Sequence, residues 1–432
     1  MSAQRISVIG GGLAGCAAAL AAQTRGARVD LYEQRPATST HTHQTALPAE
    51  LAGTADLGVN DPERATGLLK AELRMLCPAL MECADATRIG EQSLAVDREA
   101  FAHAVAERVG SAEGIELRRE QLAALPDGPV VIASGPSTWS PLARAIHAAA
   151  GTGFRFSFIG RPPLIAAESI DLSEAFHAPI YPGAEPALFV PLSEDEAAEL
   201  ATRLATAERH EPPEFSAETI LADESTTAER MAADPSVGLG KLLSGPRGPQ
   251  TGHEGLALCL TPDDADGRAW HAEGLLTTLS PEDQVEALGA LRAFANVRLV
   301  RPALVQRSPW LAGPDATLAT LQLRRTQRAL ITGTLTGVYG YVEAMTLGAV
   351  AGIGAVKIAR GAERMPPPGE CLTGALCQAL ANEHPRQDRR MLRANFGMIG
   401  EHRDDQGLNK SERRKQQIER ALKAMRHYVD AG

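Results

Sequence analysis

Apolar positions follow two rhythms along this chain, and their alternation predicts its elements. Ile6, Val8 and Ile9 form a short apolar run that halts at Gly10. An Ala-rich helix follows over 16–23, and a second strand over 28–32 ends on Glu33. Leu68, Leu69, Leu73, Leu76 and Leu80 recur at helical spacing, predicting an amphipathic helix over 64–84 kinked by Pro78. A helix over 97–109 precedes a buried strand over 130–133, which ends at Ser134-Gly135-Pro136. From about 155 to 310, short strands (156–159, 163–167, 187–190, 256–259) alternate with helices such as 193–208. The stretch 234–255, rich in Gly, Pro and Ser, reads as a long loop. At 329 the opening theme returns: a strand over 329–332 runs into a Gly-rich turn and a helix through Ala359. A charged helix over 404–428 closes the chain.

Strands alternating with helices predict an α/β fold. The expected architecture is a Rossmann-type FAD-binding domain with an inserted mixed α/β domain. Its divisions fall at 1–155 (the first part), 156–325 (the insertion) and 326–432 (the closing segment and charged helix).

The 432 residues suffice for two or three domains at roughly 150 residues each. Net charge is −10, so contact with nucleic acid requires a local basic patch. Aromatic residues make up 4%, which argues against base-stacking platforms. The six cysteines (16, 77, 83, 259, 371, 377) show no metal spacing and point to a reducing, cytoplasmic setting. No signal peptide or run of 18 apolar residues stands out, so no membrane span is expected.

The opening run carries chemistry. Gly10-x-Gly12-x-x-Gly15 lies between a strand and a helix, with Glu33 eighteen residues beyond Gly15. Gly10 permits the tight turn, Gly12 lets a pyrophosphate approach the backbone, and Gly15 lets helix and strand pack closely. Leu13, Ala14 and Gly15 open the helix, whose N–H groups and dipole favour phosphate. Glu33 suits a ribose diol, which favours FAD or NAD over a 2′-phosphorylated nucleotide. Arg35 is placed near the adenosine end. Gly333, Gly337 and Tyr339, in the returning Gly-rich turn, are expected to close over the cofactor.

Segments spread over nearly the whole length carry a family resemblance. They include Gly-Gly-Gly-Leu-Ala-Gly near the start, Leu-Tyr-Glu-Gln-Arg-Pro at 31–36 and Gly67-Leu68-Leu69-Lys70-Ala71-Glu72-Leu73-Arg74. Leu94-Ala95-Val96-Asp97-Arg98, Gly337-Val338-Tyr339-Gly340-Tyr341-Val342-Glu343 and Ala394-Asn395-Phe396-Gly397 continue it. The chain resembles the folate- and FAD-dependent tRNA uracil-5-methyltransferases (TrmFO), relatives of GidA-type flavoproteins. The resemblance implies FAD, methylenetetrahydrofolate as one-carbon donor, NADPH or NADH as reductant, and tRNA or another RNA as acceptor. It also implies a thiolate that adds to the pyrimidine ring, sulfur being a good nucleophile at neutral pH. A monomer or homodimer is expected.

The chain departs from that pattern at the thiols. After the family's lead, here Ala49-Glu50-Leu51-Ala52, it reads Gly53-Thr54-Ala55-Asp56 where the family has Cys-Ser-Asn-Ser. The second family cysteine aligns with Ser225 or a neighbour in 223–227, and no cysteine lies between 84 and 258. Gly274-Leu275-Leu276-Thr277 and Arg307-Ser308-Pro309-Trp310 also depart from the family's Gly-Phe-Gln-Thr and Arg-Asn-Thr-Tyr. Gly53, Thr54, Asp56, His43 (with His41 beside it) and Ser225 are therefore the candidates for chemistry. The preferred expectation is a repurposed enzyme transferring a one-carbon unit or hydride without a thiol. The alternatives are the RNA uracil methyltransferase and a non-catalytic flavin- or RNA-binding relative.

Overall fold

The computed structural model describes residues 5–40, 42–180, 185–212, 215, 221–222, 225–234, 243, 255–311, 313–382, 391–400, 402 and 407–431. Two sheets organise it. The first has five parallel strands in the spatial order Ala329–Ile331, Val130–Ile132, Arg5–Ile9, Arg28–Tyr32, Ile115–Arg118. Val130–Ile132 and Ala329–Ile331 are wholly buried apolar runs, and residues 6–9 are buried throughout, because helices cover the sheet; the edge strand Ile115–Arg118 is partly exposed. The helix Leu13–Gln23 crosses from the first strand to the second, and every residue from Leu13 to Ala22 is buried.

Small side chains explain that burial. The closing helix, Tyr341–Ala359, lies across Leu13–Gln23. A Cβ added at Gly348 would run into Ala14 O, and one at Gly352 into Ala18 O. Backbone meets backbone here, which only an Ala- and Gly-rich pair of helices allows. By length and composition the closing helix could cross a membrane, which the sequence expectation did not foresee; 78% of its apolar window is buried inside the protein.

The second sheet has six antiparallel strands, in the order Leu299–Arg301, Leu164–Ala166, Ala269–Ala272, Leu256–Pro262, Pro186–Leu192, Phe176–Pro179. Helices Glu194–Thr206 and Pro281–Leu288 pack on it around Leu200, Leu258, Leu260 and Leu288. A long antiparallel ribbon pairs Phe154–Arg161 with Leu304–Leu311.

Several boundaries shift from expectation. The helix expected over 64–84 is two helices, Ala65–Leu76 and Pro78–Ala86. Pro78 has no N–H to continue the first helix but fits the opening turn of the second. The charged helix spans Lys410–Asp430, capped by Asn409 and Glu412. Most of the loop expected over 234–255 lies outside the described residues.

Candidate functional site

The nucleotide turn has the form its glycines require. Gly10 has φ 107°, and a Cβ there would collide with Ala133. A Cβ on Gly15 would run into Gly10 O, while one on Gly12 would meet nothing within 4 Å. Gly12 therefore opens onto free space, and no side chain caps the helix it begins. Leu13 and Ala14 are buried in the first helical turn. Glu33 Oε2 accepts the Gly11 N–H at 2.9 Å, and Oε1 accepts both the Arg35 N–H and the Arg35 Nε–H at 2.9 Å. Burial alone would raise this carboxyl; Arg35 and the two N–H groups outweigh it and hold Glu33 below its ordinary range. Arg35 is buried between Glu33 and Glu50.

The returning segment faces the same turn. Gly333 has φ 66°, and a Cβ there would stand 3.1 Å from Ala14 Cβ. Gly337 has φ 86° beneath the Trp310 indole. Tyr339 packs against the cluster that holds Trp310; its N–H donates to Leu392 O, and the Arg393 guanidinium lies 4.5 Å from its ring.

One hydrogen bond joins this turn to the candidate chemistry. Ala49 N–H donates to Gly11 O at 2.9 Å, setting the 49–53 loop beside the cradle. Gly53 N–H then donates to Tyr341 Oη at 2.5 Å, and a Cβ on Gly53 would stand 2.8 Å from that oxygen. The tyrosine hydroxyl occupies the space a side chain at 53 needs. The Gly53 carbonyl accepts from Arg98 and, at 3.2 Å, from Arg301; the Leu51 carbonyl also accepts from Arg98.

Arg98 pairs with Asp263 on the inserted side, Nε to Oδ1 at 2.5 Å. His271 Nε2 lies 2.7 Å from the same carboxylate oxygen and 3.0 Å from Arg98 Nη2; as Nε2–H it donates to the carboxylate, and as a bare nitrogen it accepts from the guanidinium. Burial would raise Asp263, but His271 and Arg98 bring it down to about 2. Burial, with Arg98 adding to it, pushes His271 down to about 4. Burial and the neighbouring Arg98 and Arg161 push Arg301 down to about 9, so it stays charged at neutral pH.

The other sequence candidates scatter. Thr54 is half-buried in the same loop. Asp56 is exposed and its Oδ1 accepts the Gly58 N–H at 2.7 Å, a turn-fixing role. His43 Nδ1 lies 2.7 Å from Thr40 Oγ1. Dry surroundings and Arg35 hold His43 below its ordinary value. Ser225 belongs to another neighbourhood: its carbonyl accepts the Leu221 N–H, and Ala222 N–H donates to Phe158 of the ribbon. His41 lies outside the described residues. No cysteine offers a ready thiolate; burial raises all six, Cys77 and Cys377 to about 12.

Arg98, Arg161, Asp263, His271, Arg301 and Tyr341 were not among the sequence candidates. The available signal was local. Arg301 ends an otherwise apolar strand, and Arg161 is buried at the end of a ribbon strand; a buried charge is out of place unless it has work to do.

Comparison with known proteins decides the family. The family profile of "Glucose inhibited division protein A" (GidA) matches residues 5–363. The chain belongs to the GidA family. It is 35% identical over 407 residues to "Methylenetetrahydrofolate--tRNA-(uracil-5-)-methyltransferase TrmFO" of Moorella thermoacetica, covering 91% of this chain and 92% of that one. The protein of the same name from Deinococcus radiodurans is 34% identical over 410 residues, covering 93% of this chain and 87% of that one. Among solved structures, Aquifex aeolicus GidA (form II crystal) superposes with a TM-score of 0.70 at 17% identity, over 99% of this chain and 74% of that one. This likeness bears out the Rossmann-type α/β fold with its insertion.

Proposed function

We propose that this GidA-family protein binds FAD and transfers a one-carbon unit from methylenetetrahydrofolate to uracil in tRNA, with NADPH or NADH as reductant. Similarity to the TrmFO relatives over some nine-tenths of the chain favours this over the repurposed enzyme that the missing thiols suggest. The structural observation that carries it is the Ala49–Gly11 hydrogen bond. It sets the Gly53 loop, with Tyr341 and the arginines around it, against an open nucleotide turn.

The residues present fit FAD. Gly12 leaves room for a pyrophosphate, Leu13, Ala14 and Gly15 offer N–H groups, and Glu33 is an ionised acceptor for ribose hydroxyls. Gly333 and Gly337 would line the closing side, with Arg35 behind Glu33. Bound flavin supplies electron and one-carbon transfer. The chain's own share is to orient the acceptor and move protons at Tyr341 Oη. Arg98 and Arg301 hold the Gly53 carbonyl and with it the loop. We also propose the division 1–155, 156–325 and 326–432. All five strands of the parallel sheet fall outside the middle segment, and all six strands of the larger antiparallel sheet fall inside it.

A second reading has its own observation. With Gly53 under a tyrosine hydroxyl, the loop carries no thiol to add to a pyrimidine ring. A one-carbon or hydride transfer to an electron-rich acceptor other than RNA uracil needs none. Incubating the protein with FAD, NADPH, labelled methylenetetrahydrofolate and unmodified tRNA separates the two. Label in uracil methyl groups is the expected result. Flavin turnover with folate but no label in RNA would replace the first reading by the second. A protein that takes up no flavin would remove both.

A further inference from the structure

The joint between the Gly53 loop and the antiparallel sheet holds more buried positive charge than its neighbours neutralise. Arg98, Arg161 and Arg301 are 7%, 8% and 2% exposed. Asp263 pairs with Arg98 among the three, and His271 holds the same carboxylate oxygen. Glu50 is the next nearest; Arg35 and the Gln44 and Thr45 N–H groups engage it. His43 and His271 are held neutral, and burial raises the Tyr341 phenol, so no further negative charge comes from them. Arg301 Nε and Nη1 and Arg161 Nε are buried with no acceptor among the described residues. Arg161 Nη1 donates to Thr42 O, and Arg301 Nη2 donates to Gly53 O. A buried guanidinium with idle donors is costly unless an acceptor completes it.

We propose that this joint is a binding site for one oxyanion, a carboxylate or a phosphate, carried on a small ligand. Unpartnered N–H donors on two neighbouring guanidinium groups are the kind of donor a carboxylate or phosphate group takes up. One added negative charge would balance Arg301, which Asp263 does not reach as a hydrogen-bond partner. The donors lie below the surface, which suits a free ligand better than the backbone of a polymer. The Gly53 carbonyl shares Arg301 with this site, so an occupant also fixes the loop beside the nucleotide turn. The site does not depend on which acceptor the enzyme methylates.

The test uses purified full-length protein titrated with inorganic phosphate, acetate and folinic acid at constant ionic strength, chloride serving as the reference. The expected result is a saturable rise in the unfolding midpoint of about 2 °C or more with at least one of the three. A response to phosphate or acetate stands without the proposed function. A response to folinic acid alone names the carboxylate tail of a folate and ties the site to that reading. Arg301→Gln should abolish the response. Arg161→Lys keeps the charge but loses the Nε–H and should weaken apparent affinity about tenfold; it serves if Arg301→Gln fails to fold. If no anion exceeds chloride, the donors hold only water and the proposal falls. It also falls if the variants respond as the unmodified protein does.

Discussion

The nucleotide turn and the Gly53 joint are one hydrogen bond apart, yet they are built in opposite ways. The turn is made of backbone and absent side chains. Gly10, Gly12 and Gly15 shape it by what they lack, and its residues are near neighbours in sequence. The joint is made of charged and polar side chains drawn from residues 98, 161, 263, 271, 301 and 341. The first is held by fit, the second by charge balance. A fault in the turn costs space; a fault in the joint leaves a stranded charge.

The largest expected effect is therefore at the joint. Asp263→Ala leaves Arg98 buried without its carboxylate and should cost about 3–5 kcal/mol of stability. Urea unfolding checks it; a loss below about 1 kcal/mol would show that the joint is not held by charge.

At the turn, Gly15→Val should cost about 3 kcal/mol through overpacking against Gly10 O. Gly12→Ala has room for its methyl group, so flavin-free stability should move by no more than about 0.5 kcal/mol. Its flavin affinity should nonetheless drop sharply in a fluorescence titration. A Gly12→Ala protein that binds FAD normally would empty the cradle of its assigned role.

Acid weakens both regions, since Glu33 at the turn is also held below its ordinary range. At the joint, Asp263 titrates near 2 in the folded protein against an ordinary 3.8, and His271 near 4 against 6.5. Both values are depressed, so below about pH 6.5 the unfolded chain binds more protons than the folded one. The stabilisation from His271 is lost as pH falls from about 6.5 to 4, and that from Asp263 as it falls from about 4 to 2. Each is worth about 2 kcal/mol or more by linkage. Glu72 and Glu273 oppose this. Burial raises both to about 7, so their contribution is present below about pH 4.5 and lost as pH rises to about 7. Urea midpoints at pH 7, 5.5 and 4 should fall less with acid in His271→Gln than in the unmodified protein.

A modest effect is expected at the boundary. Gly53→Ala places a methyl group 2.8 Å from Tyr341 Oη and should cost about 1 kcal/mol. Tyr341→Phe in the same molecule should recover most of it. Independent, additive effects would mean that the hydroxyl does not fill that space.

The same contrast explains what could be read from the amino-acid order. The strand, glycines and helix of residues 6–23 form a local pattern, and so does the strand ending at Glu33; each appears where periodicity placed it. The joint obeys no local period. Arg98 follows the N-cap Asp97 at the start of a helix, Asp263 follows a strand, and Arg301 ends one, so only the folded topology brings them together. Ser225 and Asp56 were drawn from a family alignment. Alignment reports which position a residue holds, and the hydrogen bonds show Asp56 occupied with Gly58 instead.

The crossing of Leu13–Gln23 with Tyr341–Ala359 also sets an order of events during synthesis. The glycines that receive Ala14 and Ala18 are translated more than 300 residues after those alanines. At about 5–20 residues per second, the N-terminal helix waits on the order of tens of seconds for its partner. Over that interval a greasy, alanine-lined surface stays bare on the nascent chain. A motif translated early is thus among the later ones to mature, and chaperones have long to act on it.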